Sequence, residues 1–183
     1  AGDRLPIVLD PGLTFGTGAH PSTQMVMSAM ETLSLEGKTC LDLGSGSGIL
    51  SLTALRLGAK EAFGVDIDPK AEDIARENAA YNGFGSDVFT ALTGNVNTDK
   101  KLMDTLKRKT YDLVCVNIVA DVIIALAPTL PQFLEENSTL LLSGILDTRL
   151  PDVLAALQQA NLQVTATHAS DTWRCLQAKR RPL

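Results

Sequence analysis

Three glycines, Gly44, Gly46 and Gly48, stand two apart just after the apolar run Thr39-Cys40-Leu41-Asp42-Leu43, and an acid, Asp66, ends the next apolar run. Without β-carbons, such positions let the backbone approach a ligand closely and adopt positive φ. A carboxylate at the end of the second strand of a βαβ unit is placed to grip two ribose hydroxyls. The spacing excludes two common ligands. In a dinucleotide turn, G-x-G-x-x-G, the third glycine would fall on Ile49 or Ser51, and no G-x-x-x-x-G-K-[ST] phosphate loop occurs. A ligand carrying adenosine and an amino acid, without phosphate, fits better. Asp42, just ahead of the turn, is placed to hold the loop through its backbone amides.

The elements needed to position these residues are legible from periodicity. Strands are predicted at 39–43, 62–66, 88–93, 111–117 and 139–143, and helices at 49–57, 70–82, 99–108, 119–126 and 147–160. Tyr111 to Asn117 is almost wholly apolar, as a central parallel strand should be. Two strands, 163–169 and 172–179, then lie too close for a helix between them and should pair antiparallel through a turn at Ser170 and Asp171. The expected architecture is α/β, a doubly wound, mostly parallel seven-stranded sheet with a C-terminal antiparallel hairpin. Asn117, at the C-terminal end of strand four, sits where such a sheet places its ligands.

Composition agrees with one domain. At 183 residues and 45% hydrophobic content the chain can bury a substantial core. No apolar run approaches the ~20 residues that span a bilayer, and no signal-peptide pattern opens the chain. The net charge of −5 disfavours direct nucleic-acid binding. The basic cluster Lys100, Lys101, Lys107, Arg108 and Lys109 reads as solvated helix ends. Cys40, Cys115 and Cys175 lie in apolar strand-like segments, which predicts buried reduced thiols and a cytoplasmic location. No C-x-x-C or His/Cys cluster points to a metal.

Asp10 to Thr23 is rich in glycine and proline and leads into a helix, with Pro21 in its first turn and Val26, Met30 and Leu33 as an apolar stripe. A loop of this kind ahead of the glycine turn can fold over a ligand as a lid. Residues 1–35 are therefore expected to form the lid loop and leading helix of a single domain, and residues 36–183 its core sheet.

Taken together, D-P-G-L-x-F-G-T-G-x-H-P-x-T from Asp10, D-L-G-x-G-S-G-I-L from Asp42, D-I-D-P-x-A from Asp66, V-N-I-V-A from Val116 and S-G-I-L from Ser143 resemble the PrmA family. These are class I methyltransferases of the ribosomal large-subunit protein numbered eleven. The resemblance runs from about Leu5 to Lys179 and implies S-adenosylmethionine as cofactor. It implies that Thr23, Gly44, Asp66 and Asn117 contact the cofactor. Gly46, Gly48, Ile67 beside Asp66, and Asn95 after strand three complete the expected cofactor set. Asn95 stands where many class I enzymes place an aspartate against the adenine amine. Ser45 replaces the family's usual cysteine in G-C-G-S-G and is expected to be small and exposed.

The implied reaction is direct methyl transfer to an amine, a lysine side chain or an N-terminus, of a ribosomal protein. Asn117 is the candidate for orienting that amine, with Phe15 and Trp173 near the methyl acceptor, where ring faces favour a methylated ammonium. No general base stands out. His20 is expected to brace the lid, and His168 to be structural. PrmA proteins also carry an N-terminal domain that grips the ribosomal protein. The chain lacks it and starts at Ala1, which suggests an excised or processed catalytic domain. A divergent enzyme acting on another protein or small amine, and a silent cofactor-binding scaffold, are the alternatives. A nicotinamide oxidoreductase would need the glycine spacing that the chain lacks.

Overall fold

In a computed structural model, which describes residues 4–10 and 17–182, seven strands form one sheet. The strands are β1 (Thr39–Leu43), β2 (Glu61–Asp66), β3 (Phe89–Thr93), β4 (Tyr111–Asn117), β5 (Leu134–Leu146), β6 (Leu162–Ser170) and β7 (Trp173–Arg180). Their spatial order is β3-β2-β1-β4-β5-β7-β6. The first five pair in parallel, and β7 enters antiparallel between β5 and β6. The direction of crossover reverses between β1 and β4. A doubly wound sheet opens its ligand crevice there, beyond the strands' C-terminal ends.

Helices α1 (Pro21–Glu31), α2 (Ile49–Arg56) and α3 (Pro69–Tyr81) bury Val26, Met30, Leu52 and Ala75 with the sheet residues Cys40, Leu113, Cys115 and Cys175. A second core gathers α4 (Lys100–Leu106), α5 (Ala120–Leu126) and α6 (Leu150–Gln159) around Tyr111, Val114 and Phe133. With both faces covered, β4 is apolar and buried from Leu113 to Val116, and each fully buried Leu or Val contributes ~1.5–3 kcal/mol. All three thiols are buried and unpaired. Burial raises the Cys40 thiol to about 12 and the Cys175 thiol to about 11.

Several boundaries depart from the sequence reading. Strand β5 is far longer than 139–143, because Leu134 pairs with Tyr111 at one end and Leu146 with Trp173 at the other. A short 3-10 turn, Leu130–Phe133, precedes it and buries Leu130 and Phe133. The hairpin turns at Asp171 and Thr172, one residue later than expected. Ser170 pairs directly with Trp173, and Asp171 takes φ +52°, a conformation Asp tolerates. Helix α1 stops at Glu31, capped by Thr32, so Leu33 lies beyond it. Asp99 is the cap of α4 rather than its first residue, accepting the Leu102 N–H at 3.0 Å.

Candidate functional site

Positive φ angles of 78°, 50° and 84° at Gly44, Gly46 and Gly48 carry the chain from β1 into α2. The three glycines serve different ends. A β-carbon at Gly44 would meet the Ile118 side chain at 3.3 Å, and one at Gly48 would meet the Ala75 β-carbon at 3.3 Å. Gly44 therefore clears the crevice, whereas Gly48 lets α2 pack against α3. The loop is held from β2. Gly44 and Ser45 N–H donate to the Val65 carbonyl at 2.8 and 3.0 Å, and Gly46 N–H donates to Asp66 Oδ2 at 2.9 Å. Asp66 Oδ1 accepts the Asp68 N–H at 2.9 Å. Both carboxylate oxygens are thus fixed in direction, with lone pairs to spare.

Asp42 does not hold the loop, contrary to expectation. Its buried side chain meets the start of α2 at the wall of the crevice, where Oδ2 accepts from Ser51 Oγ at 3.3 Å and Oδ1 has no hydrogen-bond partner among the described residues. Burial, with the Asp66 charge adding to it, pushes this carboxyl up to about 7, against the opposing bond from Ser51. Ser45 is buried rather than exposed. It packs so closely against Gly64 that a β-carbon there would lie 3.0 Å from the Ser45 β-carbon.

The second half of the site comes from distant parts of the chain. Asn117 Nδ2 donates to Thr23 Oγ1 at 2.9 Å, across 94 residues. Asn117 does not cap the following helix, whose cap position is Val119. Thr23 is held in the first turn of α1. His20 caps that turn by accepting the Ser22 N–H on Nδ1 at 3.1 Å, and Ser143 Oγ donates to the Ser22 carbonyl at 2.8 Å. The His20 ring stands edge-on to Trp173, centroids 4.6 Å apart. His20 thus positions the helix that carries Thr23.

Two cavities share Gly44, Asp66 and Ile118, so they form one crevice along the sheet's C-terminal edge. The smaller, about 280 Å³, is lined by Asp66, Ile67, Gly94, Asn95 and Val96. Ile67 is an exposed apolar side chain, and Asn95 Oδ1 accepts the Asn97 N–H at 2.9 Å, closing a local turn. The larger, about 440 Å³, is lined by Thr23, Asp42, Gly46, Asn117, Val119 and Trp173. The crevice thus gathers Thr23, Gly44, Gly46, Asp66, Ile67, Asn95, Asn117 and Trp173. Gly48 lies behind it, and Phe15 lies outside the described residues, as does much of the expected lid loop.

Among the lining residues that escape sequence reasoning, Ile118 and Gly144 shape the crevice most directly. Ile118 lines both cavities. Gly144 is needed because a β-carbon there would lie 2.6 Å from the Ile118 carbonyl oxygen. The signals were present in V-N-I-V-A and S-G-I-L, but only the pairing of β4 with β5 brings the two together.

A family model described as "Ribosomal protein L11 methyltransferase (PrmA)" matches residues 1–181. The chain belongs to the PrmA family. A ribosomal protein L11 methyltransferase of Fusobacterium nucleatum is 36% identical over 179 residues, covering 98% of this chain and 55% of that protein. One from Vibrio campbellii is 40% identical over 151 residues, covering 82% of this chain and 48% of that protein. The chain spans about half the length of the curated relatives it matches. A crystal structure of ribosomal protein L11 methylase from Lactobacillus delbrueckii subsp. bulgaricus superposes with a TM-score of 0.84 at 31% identity, over 99% of this chain and 92% of that one. An RNA methyltransferase from Salinibacter ruber, in complex with S-adenosyl-L-homocysteine, shares the fold at a TM-score of 0.67 and 18% identity, over 90% of this chain and 96% of that one. Among the described residues, no helix of this PrmA chain is long and apolar enough to cross a membrane, and no group of three or more His, Cys, Asp or Glu is placed to hold a metal.

Proposed function

We propose that residues 1–183 are the S-adenosylmethionine-dependent catalytic domain of an enzyme that methylates amino groups, on a lysine side chain or an N-terminus, of ribosomal protein L11. The observation that carries this reading is the continuous crevice from Asp66, past Gly44, to the Thr23–Asn117 pair. Its ends match the two ends of the cofactor. The smaller cavity offers a fixed carboxylate for ribose hydroxyls and an apolar wall, Ile67, for a flat base. The larger has a buried carboxylate with an unpartnered oxygen, Asp42 Oδ1, which suits an ammonium group. Thr23, Gly44, Gly46, Asp66, Ile67, Asn95 and Asn117 would hold the cofactor, with Gly48 supporting the turn from behind. When bound, the cofactor supplies an electrophilic methyl group on a sulfonium.

The chain's own residues bring the acceptor amine into line. An amine attacks only when neutral, and a cavity walled by Ile118, Val119 and Trp173 lowers the pKa of an entering amine by desolvation. Asn117 is oriented by Thr23 and offers Oδ1 to a hydrogen on that amine, or on the cofactor's amino group. Trp173, which lines this cavity, offers an aromatic surface to the methylated product. Positioning and desolvation carry the rate, with no general base invoked.

The curated relatives are about twice as long as this chain. Grip on the protein substrate is assigned to an N-terminal recognition domain, which raises the effective concentration of the target amine. The reading places the enzyme in the cytoplasm with its substrate. Radiolabelled methyl transfer into a bacterial ribosomal protein extract tests it. Label in L11, weak for this chain and strong when a relative's N-terminal domain is fused to it, supports the reading. Label in another protein or a small amine marks a divergent enzyme. Tight S-adenosylhomocysteine binding without transfer in either form marks a silent scaffold.

A further inference from the structure

Helix α3 buries Ala71, Ala75 and Ala79 against the sheet, but the same face also buries two asparagines one turn apart, Asn78 and Asn82. Packing alone would be served by more alanine. Each amide instead closes hydrogen bonds with backbone far away in sequence. Asn82 pairs with Val8 in both directions, accepting the Val8 N–H at 2.8 Å and donating to the Val8 carbonyl at 2.7 Å. Its Nδ2 also donates to the Asn78 carbonyl at 2.7 Å. Asn78 accepts the Asp10 N–H on Oδ1 at 2.9 Å and donates from Nδ2 to the Ser47 carbonyl at 2.8 Å. Side-chain amides thus replace the neighbouring strand that the extended segment 7–10 lacks, while Ile7 and Leu9 pack onto the core.

The two asparagines differ in one respect. Among the described residues, Asn82 hydrogen-bonds to Val8, Arg56 and its own helix, whereas Asn78 also reaches Ser47, between Gly46 and Gly48 of the glycine turn. We propose that Asn78 is a positioning residue for the glycine turn, its amide joining the Ser47 carbonyl to the Asp10 backbone so that the turn and segment 7–10 keep one arrangement. Such coupling is reciprocal: a ligand that stabilises the turn also stabilises the segment. The inference rests on the reading of the turn as a cofactor contact.

Asn78→Ala and Asn82→Ala form a matched pair, since each removes one buried amide and its grip on segment 7–10. Thermal denaturation should show a similar loss of several degrees in Tm for both. Calorimetry with S-adenosylhomocysteine should show at least a tenfold higher Kd for N78A and less than a twofold change for N82A. Equal changes in Kd, or an unchanged Kd in N78A, would reduce Asn78 to a structural residue and overturn the inference. Where N78A does not fold, hydrogen exchange on the unaltered chain decides. S-adenosylhomocysteine should slow the amides of Val8 and Asp10 together with that of Gly46. Slowing at Gly46 alone refutes the coupling, whereas no slowing at Gly46 refutes the cofactor reading itself and the inference with it.

Discussion

The two halves of the crevice are built differently. Around Asp66 nearly every part is local: the acid, the glycine turn it holds and the Asn95 turn each lie at the end of a neighbouring parallel strand, and the bonds run between adjacent β–α connections. Around Asn117 the parts come from α1, β1, β4, β5 and β7, and the Thr23–Asn117 bond spans 94 residues. The Asp66 carboxylate is half-buried and fully directed, whereas Asp42 is buried with one oxygen unpartnered. On the proposed reading, the first half is a rigid grip on the cofactor. The second half, where a buried charge and an acceptor cavity meet, is where chemistry occurs.

Breaking the local half should have the largest effect on affinity. Asp66→Ala removes the proposed grip on two hydroxyls and the acceptor of the Gly46 and Asp68 amides. With charge-assisted bonds at ~1.5–3 kcal/mol each, calorimetry should show S-adenosylhomocysteine binding weakened about 100-fold or more, with the far-ultraviolet dichroism of the folded chain retained. An unchanged Kd would remove Asp66 from the site.

Asp42 probes the other half through pH. Its carboxyl sits at about 7 when folded, above the ordinary 3.8, so between those values the folded chain holds the proton more tightly than the unfolded one. The stabilisation is present at low pH and is lost as pH rises through 7. It amounts to roughly 3 kcal/mol between pH 5 and 8, since one pKa unit corresponds to about 1.36 kcal/mol. Thermal melts should therefore show this loss in the unaltered chain and a much flatter profile in Asp42→Asn. Saturating S-adenosylhomocysteine, whose ammonium would partner the carboxylate, should also flatten the unaltered chain's profile. A pH slope that survives in Asp42→Asn would assign it to another group.

Thr23→Val sharpens the comparison further, because it removes the acceptor that orients Asn117 together with the hydroxyl proposed to contact the cofactor. The expected result is about a tenfold fall in kcat for methyl transfer, ~1.4 kcal/mol, with KM for the cofactor changed less than threefold. A change confined to KM would leave this pair with its cofactor contact alone and remove its role in orienting the amine. The smallest effect is expected at Asn95→Ala. This residue is exposed and already accepts the Asn97 N–H, so a change in Kd of no more than about threefold should be seen by calorimetry.

The local half was the more legible in the sequence for the same reason. Glycine spacing and an acid at a strand end are set by the geometry of one βαβ unit, so Gly44, Gly46 and Asp66 could be placed from residue type alone. The apolar run 111–117 likewise announced a central strand and put Asn117 at its end. Ser45 and Asp42 misled because their burial depends on neighbours: Gly64 on β2 leaves room for Ser45, and the first helical turn of α2 brings Ser51 to Asp42.

What the sequence determined by itself was the alternation of elements, the parallel sheet closed by a hairpin, the glycine turn and its acid, because each follows from periods of two or 3.6 residues and from backbone freedom at single positions. Only the tertiary structure decided that Thr23 would meet Asn117, that Gly144 would have to clear the Ile118 carbonyl, that Gly48 serves helix packing, and that Asn78 would join Asp10 to Ser47. Those contacts link backbone and side chains that no local period relates. They exist because sheet order brings α1, β4 and β5 together at the crevice and lays the N-terminal segment across α3, where buried amides satisfy backbone groups that a missing strand would otherwise have paired.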